Sequence, residues 1–233
     1  MQISEFGSST FSSYESLSAV LAPKHLGIHG GSLPNNCVNV VGNLNTCNGT
    51  NVMSERNYPC DNFLMALFDV DPSYLNQTGI KAFQAQTYLC MLSQALLLKT
   101  EIELHRSRNI FGSLIWQLNE NWPTGGWGCL EYGGDMKGHV IGGRWKPLMY
   151  FLSQHLFHDV IVACGDAGLC YCKNDGISPV MGIIKIDRYH LFTGKLINSN
   201  IVEVSLDGGH LRKSLSQRKF IIFSFSLVCI DLR

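Results

Sequence analysis

The alternation of strand and helix patterns over the first 157 residues is the feature that most restricts the fold of this chain. A short strand pattern at residues 1–3 ends in a Ser-Glu-Phe-Gly break at 4–7, and a polar loop, rich in glycine and asparagine, follows over residues 8–62. Residues 79–106 carry apolar side chains mostly at spacings of three and four, which predicts a helix. Residues 110–118 form an almost continuous apolar run, which favours a buried parallel strand.

A second loop and a second helix repeat this order. Residues 119–143 read as an irregular loop rich in tryptophan and glycine, and residues 144–157 predict an amphipathic helix. The order strand, loop, helix, strand, loop, helix is typical of a parallel barrel or of a doubly wound sheet.

The pattern changes after residue 157. Short strand patterns follow, separated by turn signals at spacings near ten residues, at 159–164, 168–173, 180–187 and 201–206. This spacing predicts a β-sandwich, although a sandwich needs about seven strands and only four or five fit here. We therefore predict an α/β domain over residues 1–158 and part of a sandwich over 159–212. The tail, residues 213–233, is either a last strand or sequence that does not belong to the mature fold.

Charge and hydropathy exclude two classes of partner. The chain has 18 Lys and Arg against 18 Asp and Glu, so its net charge is zero. Nucleic acids and anionic membranes attract proteins with a basic surplus, and we expect neither as a partner. No apolar run reaches the roughly 18 residues that a membrane-spanning helix needs. The N-terminal residues also lack the basic and apolar regions of a signal peptide.

Sequons and cysteines favour a lysosomal or secreted location for the full-length protein. The candidate glycosylation sites are Asn48, in Asn-Gly-Thr, and Asn76, in Asn-Gln-Thr. Three cysteines cluster at positions 37, 47 and 60. Because a secreted protein needs a signal peptide and none is visible, the chain is expected to lack its natural N terminus.

No metal or cofactor site is predicted. The nine cysteines show no Cys-x-x-Cys spacing, and no glycine-rich phosphate loop occurs. A glycine lies between His25 and His29, and two more glycines follow His29. Because glycines disfavour a helix, both histidines are interpreted as loop residues. Cys170 and Cys172 share one face of a predicted strand and are interpreted as small apolar core residues.

Glu5 and a group of tryptophans are the candidates for chemistry. Glu5 directly follows a short strand pattern, where a barrel places its catalytic groups, although a surface glutamate near a chain end has the same pattern. Three tryptophans lie within twelve residues at the end of the second strand pattern: Trp116, Trp122 and Trp127. Aromatic faces stack on sugar rings while side chains such as Asn119 bind the hydroxyls. A core cluster that closes the end of a barrel is the alternative.

Three motifs carry a family resemblance. They are Ser-Glu-Phe-Gly at 4–7, Trp-Gln-Leu-Asn at 116–119 with Trp-Pro at 122–123, and Gly-Arg-Trp-Lys-Pro at 143–147. The last two are specific, whereas the first is weak by itself. Together they resemble glycoside hydrolase family 2, in the branch of the β-mannosidases, mannosylglycoprotein endo-β-mannosidases and exo-β-glucosaminidases.

The resemblance implies a fold and a mechanism. The fold would be the last two β/α units of a TIM (β/α)8 barrel, followed by part of an immunoglobulin-like β-sandwich. The activity would be retaining hydrolysis of β-mannosides or related β-linked glycans, with an oligosaccharide or glycoprotein glycan as the partner and no cofactor. Glu5 matches the nucleophile and Trp116 a substrate-facing tryptophan. Three further residues would shape the pocket: Asn119, Trp122 and Trp127.

The chain departs from the family at the acid/base residue. In the family this residue is a glutamate several barrel strands before the nucleophile, and only four residues precede Glu5. The other glutamates match no part of that motif: Glu15, Glu55, Glu101, Glu103, Glu120, Glu131 and Glu203. The chain is therefore interpreted as a C-terminal fragment that is inactive by itself. The alternatives are a non-catalytic carbohydrate-binding or scaffold protein and an exo-glucosaminidase.

Overall fold

The computed structural model describes residues 2–22, 25–28, 60–77, 79–123, 125–134, 140–164, 170–190, 193–214 and 221–229. The chain divides into two units. One, here called the α/β unit, comprises residues 3–99 and 114–152. The other, here called the sandwich unit, comprises residues 1–2, 100–113 and 153–233. The predicted boundary at residues 158 and 159 stays a prediction.

Short sheets and helices make up the first half of the chain. In chain order the elements are β1 (Gln2–Phe6), β2 (Thr10–Phe11), α1 (Tyr14–Leu17), α2 (Cys60–Phe68), α3 (Pro72–Leu75), α4 (Ile80–Ser107) and β3 (Gly112–Ile115). Strand β1 pairs with β3. The predicted helix at 79–106 is confirmed by α4. Gly79, with a φ of +100°, lies immediately before it, where a glycine adopts this conformation at little cost.

The core of the α/β unit gathers around α4. Phe83 of α4 is fully buried, and it lies in one cluster with three other fully buried side chains: Leu17 of α1, Leu64 of α2, and Ile28, which lies outside the helices. A disulfide between Cys60 and Cys90 joins α2 to α4. Burial of large apolar side chains stabilises such a unit by about 1.5–3 kcal/mol each.

The predicted loop at 119–143 is partly wrong, because it contains three strands. They are β4 (Gly125–Gly126), which pairs with β2, and the hairpin of β5 (Leu130–Gly134) with β6 (Val140–Trp145). Glycines interrupt the alternation by which such strands are recognised from sequence.

The second predicted helix begins later than expected, as α5 (Pro147–Phe151), which continues into a π-helical turn over Leu152–Leu156. Lys146 is its N-cap residue, and Pro147 occupies the first turn, where its missing N–H costs nothing. Trp145 therefore belongs to β6 and not to the predicted helix. Strand β3 also differs from expectation, because Leu114 is 59% exposed and the strand is not covered on both faces.

The sandwich unit contains the predicted strands and two more. They are β7 (Val160–Cys164), β8 (Cys170–Asn174), β9 (Val180–His190), β10 (Leu196–Leu206), β11 (Leu211–Ser214) and β12 (Ile221–Cys229). Two antiparallel sheets form, in the orders β11-β8-β7 and β10-β9-β12. The tail therefore contains a strand, β12, that pairs with β9.

Buried side chains of both sheets form one cluster. Val162, Cys172, Ile184, Val204 and Leu206 pack together in it. Cys170 forms a disulfide with Cys164 of the neighbouring strand, whereas Cys172 is a buried cysteine outside this disulfide. The interpretation of both cysteines as apolar core residues is thus right for Cys172, while Cys170 is a buried half of a disulfide.

The last turn of α4 belongs to the sandwich unit and is held there by polar contacts. Arg106 donates to the carbonyls of Leu156 and Asp159 at 2.7 and 3.1 Å and pairs with Asp175 at 2.7 Å. The hydroxyl of Tyr171 donates to the carbonyl of Glu103 at 2.6 Å. Burial, and next the nearby carboxylate of Glu103, raise the pKa of Tyr171, so this hydroxyl keeps its proton as a donor.

Two negative findings apply to the described ranges only. Among those residues, no group of three His, Cys, Asp or Glu side chains is placed to hold a metal ion. No helix within the same ranges is long and apolar enough to cross a membrane.

Candidate functional site

Glu5 lies at the end of β1, next to the end of β3. Its side chain is exposed. The backbone N–H of Trp116 donates to the carbonyl of Phe6 at 2.7 Å, which places Trp116 beside the residue that follows Glu5. Glu5 was expected to follow its strand, but β1 continues to Phe6, because pairing with β3 extends to the end of this segment.

Gly7 packs directly against two of the candidate tryptophans. A Cβ atom at this position would collide with the carbonyl oxygen of Trp116 and would lie 3.2 Å from Cδ1 of Trp127. Only glycine fits between these groups without a shift of the backbone. The segment that follows Glu5 is therefore in contact with both Trp116 and Trp127.

Gln94 of α4 connects the same two segments. It is 1% exposed, and its Nε2 donates to the carbonyl of Ser8 at 2.8 Å and to that of Trp127 at 3.2 Å. The backbone N–H of Gln117 also donates to the Trp127 carbonyl, at 3.2 Å. The sequence reasoning missed Gln94. A glutamine in a helical pattern gave no signal that would have distinguished it from a surface residue.

The candidate tryptophans keep large exposed surfaces. The exposed fractions are 48% for Trp116, 49% for Trp122 and 37% for Trp127. Asn119 is half-buried, and its side-chain amide donates to the carbonyl of Glu120 at 3.0 Å. The contacts at Phe6, Gly7 and Gln94 join the Glu5 segment to Trp116 and Trp127, and they do not include Asn119 or Trp122.

Glu120 is a buried anchor of the loop that carries these tryptophans. It is 1% exposed, and its Oε1 accepts from Nζ of the fully buried Lys146 at 2.5 Å. The same oxygen accepts from the backbone N–H of Gly128 at 3.0 Å. From the sequence Glu120 was only a glutamate outside the family motif, and no spacing signal connects it with Lys146.

Glu131 holds the helix that follows the Glu5 segment. Its carboxylate, 1% exposed, accepts from the N–H and hydroxyl of Ser13 at 2.8 and 2.6 Å and from the hydroxyl of Ser16 at 2.6 Å. Arg144 lies 3.8 Å away. Both carboxylates are thus buried and engaged by protein donors.

The close packing at Gly7 leads to a prediction. Gly7→Ala should lower the free energy of unfolding by about 1–3 kcal/mol, because its methyl group meets backbone atoms that cannot rotate away. The measurement is urea unfolding followed by far-UV circular dichroism. Gly112→Ala is the matched control, since a Cβ there meets nothing within 4 Å. Equal stability of the two variants would contradict the packing at Gly7.

Comparison with known proteins gives partial sequence matches and a nearly complete structural match. No family model matches the chain. The β-mannosidase of Rattus norvegicus is 35% identical over 101 residues, and β-mannosidase A of Aspergillus oryzae is 32% identical over 90. These alignments cover 40% and 36% of this chain but only 10% and 9% of the relatives. The resemblance to this branch of glycoside hydrolase family 2 is confirmed.

Solved family 2 structures extend the likeness to most of the chain. A β-D-mannosidase from Dictyoglomus thermophilum superposes with a TM-score of 0.69 at 20% identity, over 97% of this chain and 25% of its own. An exo-chitosanase from Amycolatopsis orientalis gives a TM-score of 0.59 at 13% identity, over 92% and 23%. At these identities the likeness shows the fold alone.

These comparisons agree with a barrel followed by a β-sandwich. The chain spans about a tenth of the curated relatives and a quarter of the solved structures that it matches. Among the described residues the small sheets do not close. Assignment to the last two β/α units of the barrel therefore stays a prediction.

Proposed function

We propose that this chain carries part of the active site of a retaining β-glycosidase that acts on β-mannosides or related β-linked glycans. The observation that supports the proposal is the backbone hydrogen bond from Trp116 to Phe6, which joins the segment of the exposed Glu5 to the segment of the half-exposed Trp116. The β-mannosidase relatives support a glycoside hydrolase-like function. Because they match only in part, the substrate and the mechanism belong to the proposal.

In the proposed reaction Glu5 is the nucleophile. Its carboxylate attacks the anomeric carbon and forms a glycosyl-enzyme ester, while a second carboxyl group about 5 Å away protonates the departing glycosidic oxygen. That second group then removes a proton from water, which attacks the anomeric carbon and releases Glu5. Trp116 and Trp127 would stack against the apolar face of the sugar.

The second carboxyl group is not one of the buried glutamates. Glu120 is committed to Lys146 and Gly128, and Glu131 to two serines. A carboxylate that is enclosed in this way offers no oxygen to a substrate. We therefore expect no glycoside hydrolysis by the 233-residue chain alone.

A non-catalytic carbohydrate-binding protein is the second candidate. The half-exposed faces of Trp116, Trp122 and Trp127 favour it, since stacking on a sugar requires no acid/base group. In this case the chain would bind a glycan and would not cleave it.

The two sequons support a lysosomal or secreted location, which is also part of the proposal. Asn76 is exposed at the C-terminal end of α3, where a glycan has room. Asn48, His29 and the part of the predicted loop over residues 29–59 lie outside the described residues.

Sugar binding by the purified chain tests what both candidates share. Titration with β-mannobiose should change the tryptophan fluorescence, and Trp116→Ala should weaken binding about tenfold, through the loss of about 1.4 kcal/mol of stacking. Trp145→Ala is the matched control, because Trp145 is 40% exposed and packs against Tyr150 outside the loop. Equal affinity of both variants for β-mannobiose would show that Trp116 does not contact the sugar.

A further inference from the structure

We propose that Glu120, held by Lys146, is the positioning residue that fixes the sugar-facing tryptophan loop, defined here as residues 119–128. This inference rests on the proposed function, since it concerns the same site. Neither residue is assigned to substrate contact: both are buried, Lys146 completely and Glu120 to within 1%. Their effect on a sugar would pass through the loop.

Backbone hydrogen bonds join the two ends of the tryptophan loop. The N–H groups of Cys129 and Leu130 donate to the carbonyl of Leu118 at 3.1 and 2.9 Å, and the N–H of Glu120 donates to the carbonyl of Leu130 at 2.8 Å. The Glu120 carboxylate adds a side-chain contact within the loop, because it accepts a hydrogen bond from the N–H of Gly128. The loop is thereby fixed at a point next to Trp127.

Lys146 fixes the carboxylate from the opposite side. It lies between β6 and α5, where its own N–H donates to the carbonyl of Cys129 at 3.0 Å and its carbonyl accepts from Met149. Its ammonium group reaches Oε1 of Glu120, which is the oxygen that also accepts from Gly128. The start of α5 thus sets the position of the loop through one carboxylate.

Two glycines bring the loop backbone onto this carboxylate. A Cβ at Gly126 would collide with Oε2 of Glu120, and a Cβ at Gly128 would collide with the backbone of Asn119 and Glu120. Trp127 stands between these glycines, and its carbonyl is held by Gln117 and Gln94. The backbone of Trp127 is therefore held by these contacts, and Glu120 packs against the glycine on each side of it.

The charged character of the pair favours a positioning role over a stabilising one. Replacing a buried ion pair by apolar side chains of similar size is often neutral or stabilising, so burial of the pair does not by itself explain its presence. A carboxylate offers an acceptor at one defined place, which an apolar side chain lacks.

The test compares two double variants that leave no lone buried charge. Glu120→Leu with Lys146→Met removes the acceptor for Gly128, whereas Glu120→Gln with Lys146→Met keeps an amide oxygen there. We expect the first to weaken β-mannobiose binding at least tenfold and to reduce the near-UV circular dichroism of the tryptophans. The second should bind within about threefold of the natural chain. Glu101→Gln, the same change at an exposed glutamate of α4 outside the loop, should leave both readouts unchanged.

The outcomes separate this inference from the proposed function. The inference would be overturned if the Glu120→Leu double variant bound β-mannobiose as tightly as the natural chain and kept its near-UV spectrum. It would also be overturned if the Leu and Gln double variants lost affinity equally. If the natural chain binds no β-mannobiose, the proposed function fails, and the near-UV spectrum alone decides whether Glu120 positions the loop. Urea unfolding of each variant shows whether the signal comes from folded protein.

Discussion

Glu5→Gln is expected to lower the rate of β-mannoside hydrolysis on the order of 10⁴-fold or more, in the protein translated from the longest transcript that contains this reading frame. A glutamine side chain has nearly the same shape as glutamate but no carboxylate to attack the anomeric carbon, so the glycosyl-enzyme cannot form. The KM should change much less than kcat, since the contacts to the sugar remain. Hydrolysis of an aryl β-mannoside measures both quantities.

Glu15→Gln is the control for this experiment. Glu15 is also an exposed glutamate of the same N-terminal segment, in the first turn of α1. Its replacement should leave the rate unchanged. If the Glu5 variant retained more than a tenth of the natural activity, the assignment of Glu5 as nucleophile would be wrong.

Lys146→Met alone should cost about 3–5 kcal/mol of folding free energy, because it leaves the Glu120 carboxylate buried without its counter-ion. The double change with Glu120→Leu should recover most of this loss, since no charge is then buried. Urea unfolding monitored by far-UV circular dichroism gives both values.

Lys81→Met is the matched control for the stability experiment. Lys81 is an exposed lysine in the first turn of α4. Exposed charges contribute little, so this variant should unfold at nearly the natural urea midpoint. A similar loss in both lysine variants would show that burial of the Glu120 pair has no special effect.

The fold was predictable where local signals were strong. The helix α4 follows from apolar spacings of three and four, and four strands of the sandwich unit, β7 to β10, follow from turns about ten residues apart. The hairpin of β5 and β6 was missed because glycines hide its alternation. The pairing of β12 with β9 spans over thirty residues of chain, and no local pattern encodes such a partner.

The candidate site was predictable only in part. Glu5 and Trp116 were found because they lie in motifs with a family resemblance, and the structure places their segments together at Phe6. Gln94 and the Glu120–Lys146 pair act across long sequence separations, through a hydrogen bond and an ion pair that depend on the folded backbone. Residue type alone does not distinguish such buried groups from surface ones.

The measurement that tests the central claim most directly is covalent trapping of the nucleophile. The longest natural gene product is incubated with a 2-deoxy-2-fluoro-mannosyl fluoride, which forms a slowly hydrolysed ester with the nucleophile of a retaining enzyme, and its peptides are analysed by mass spectrometry. We predict one sugar adduct, on Glu5. Hydrolysis of β-mannosides accompanied by an adduct on another carboxylate, or by none, would contradict the account.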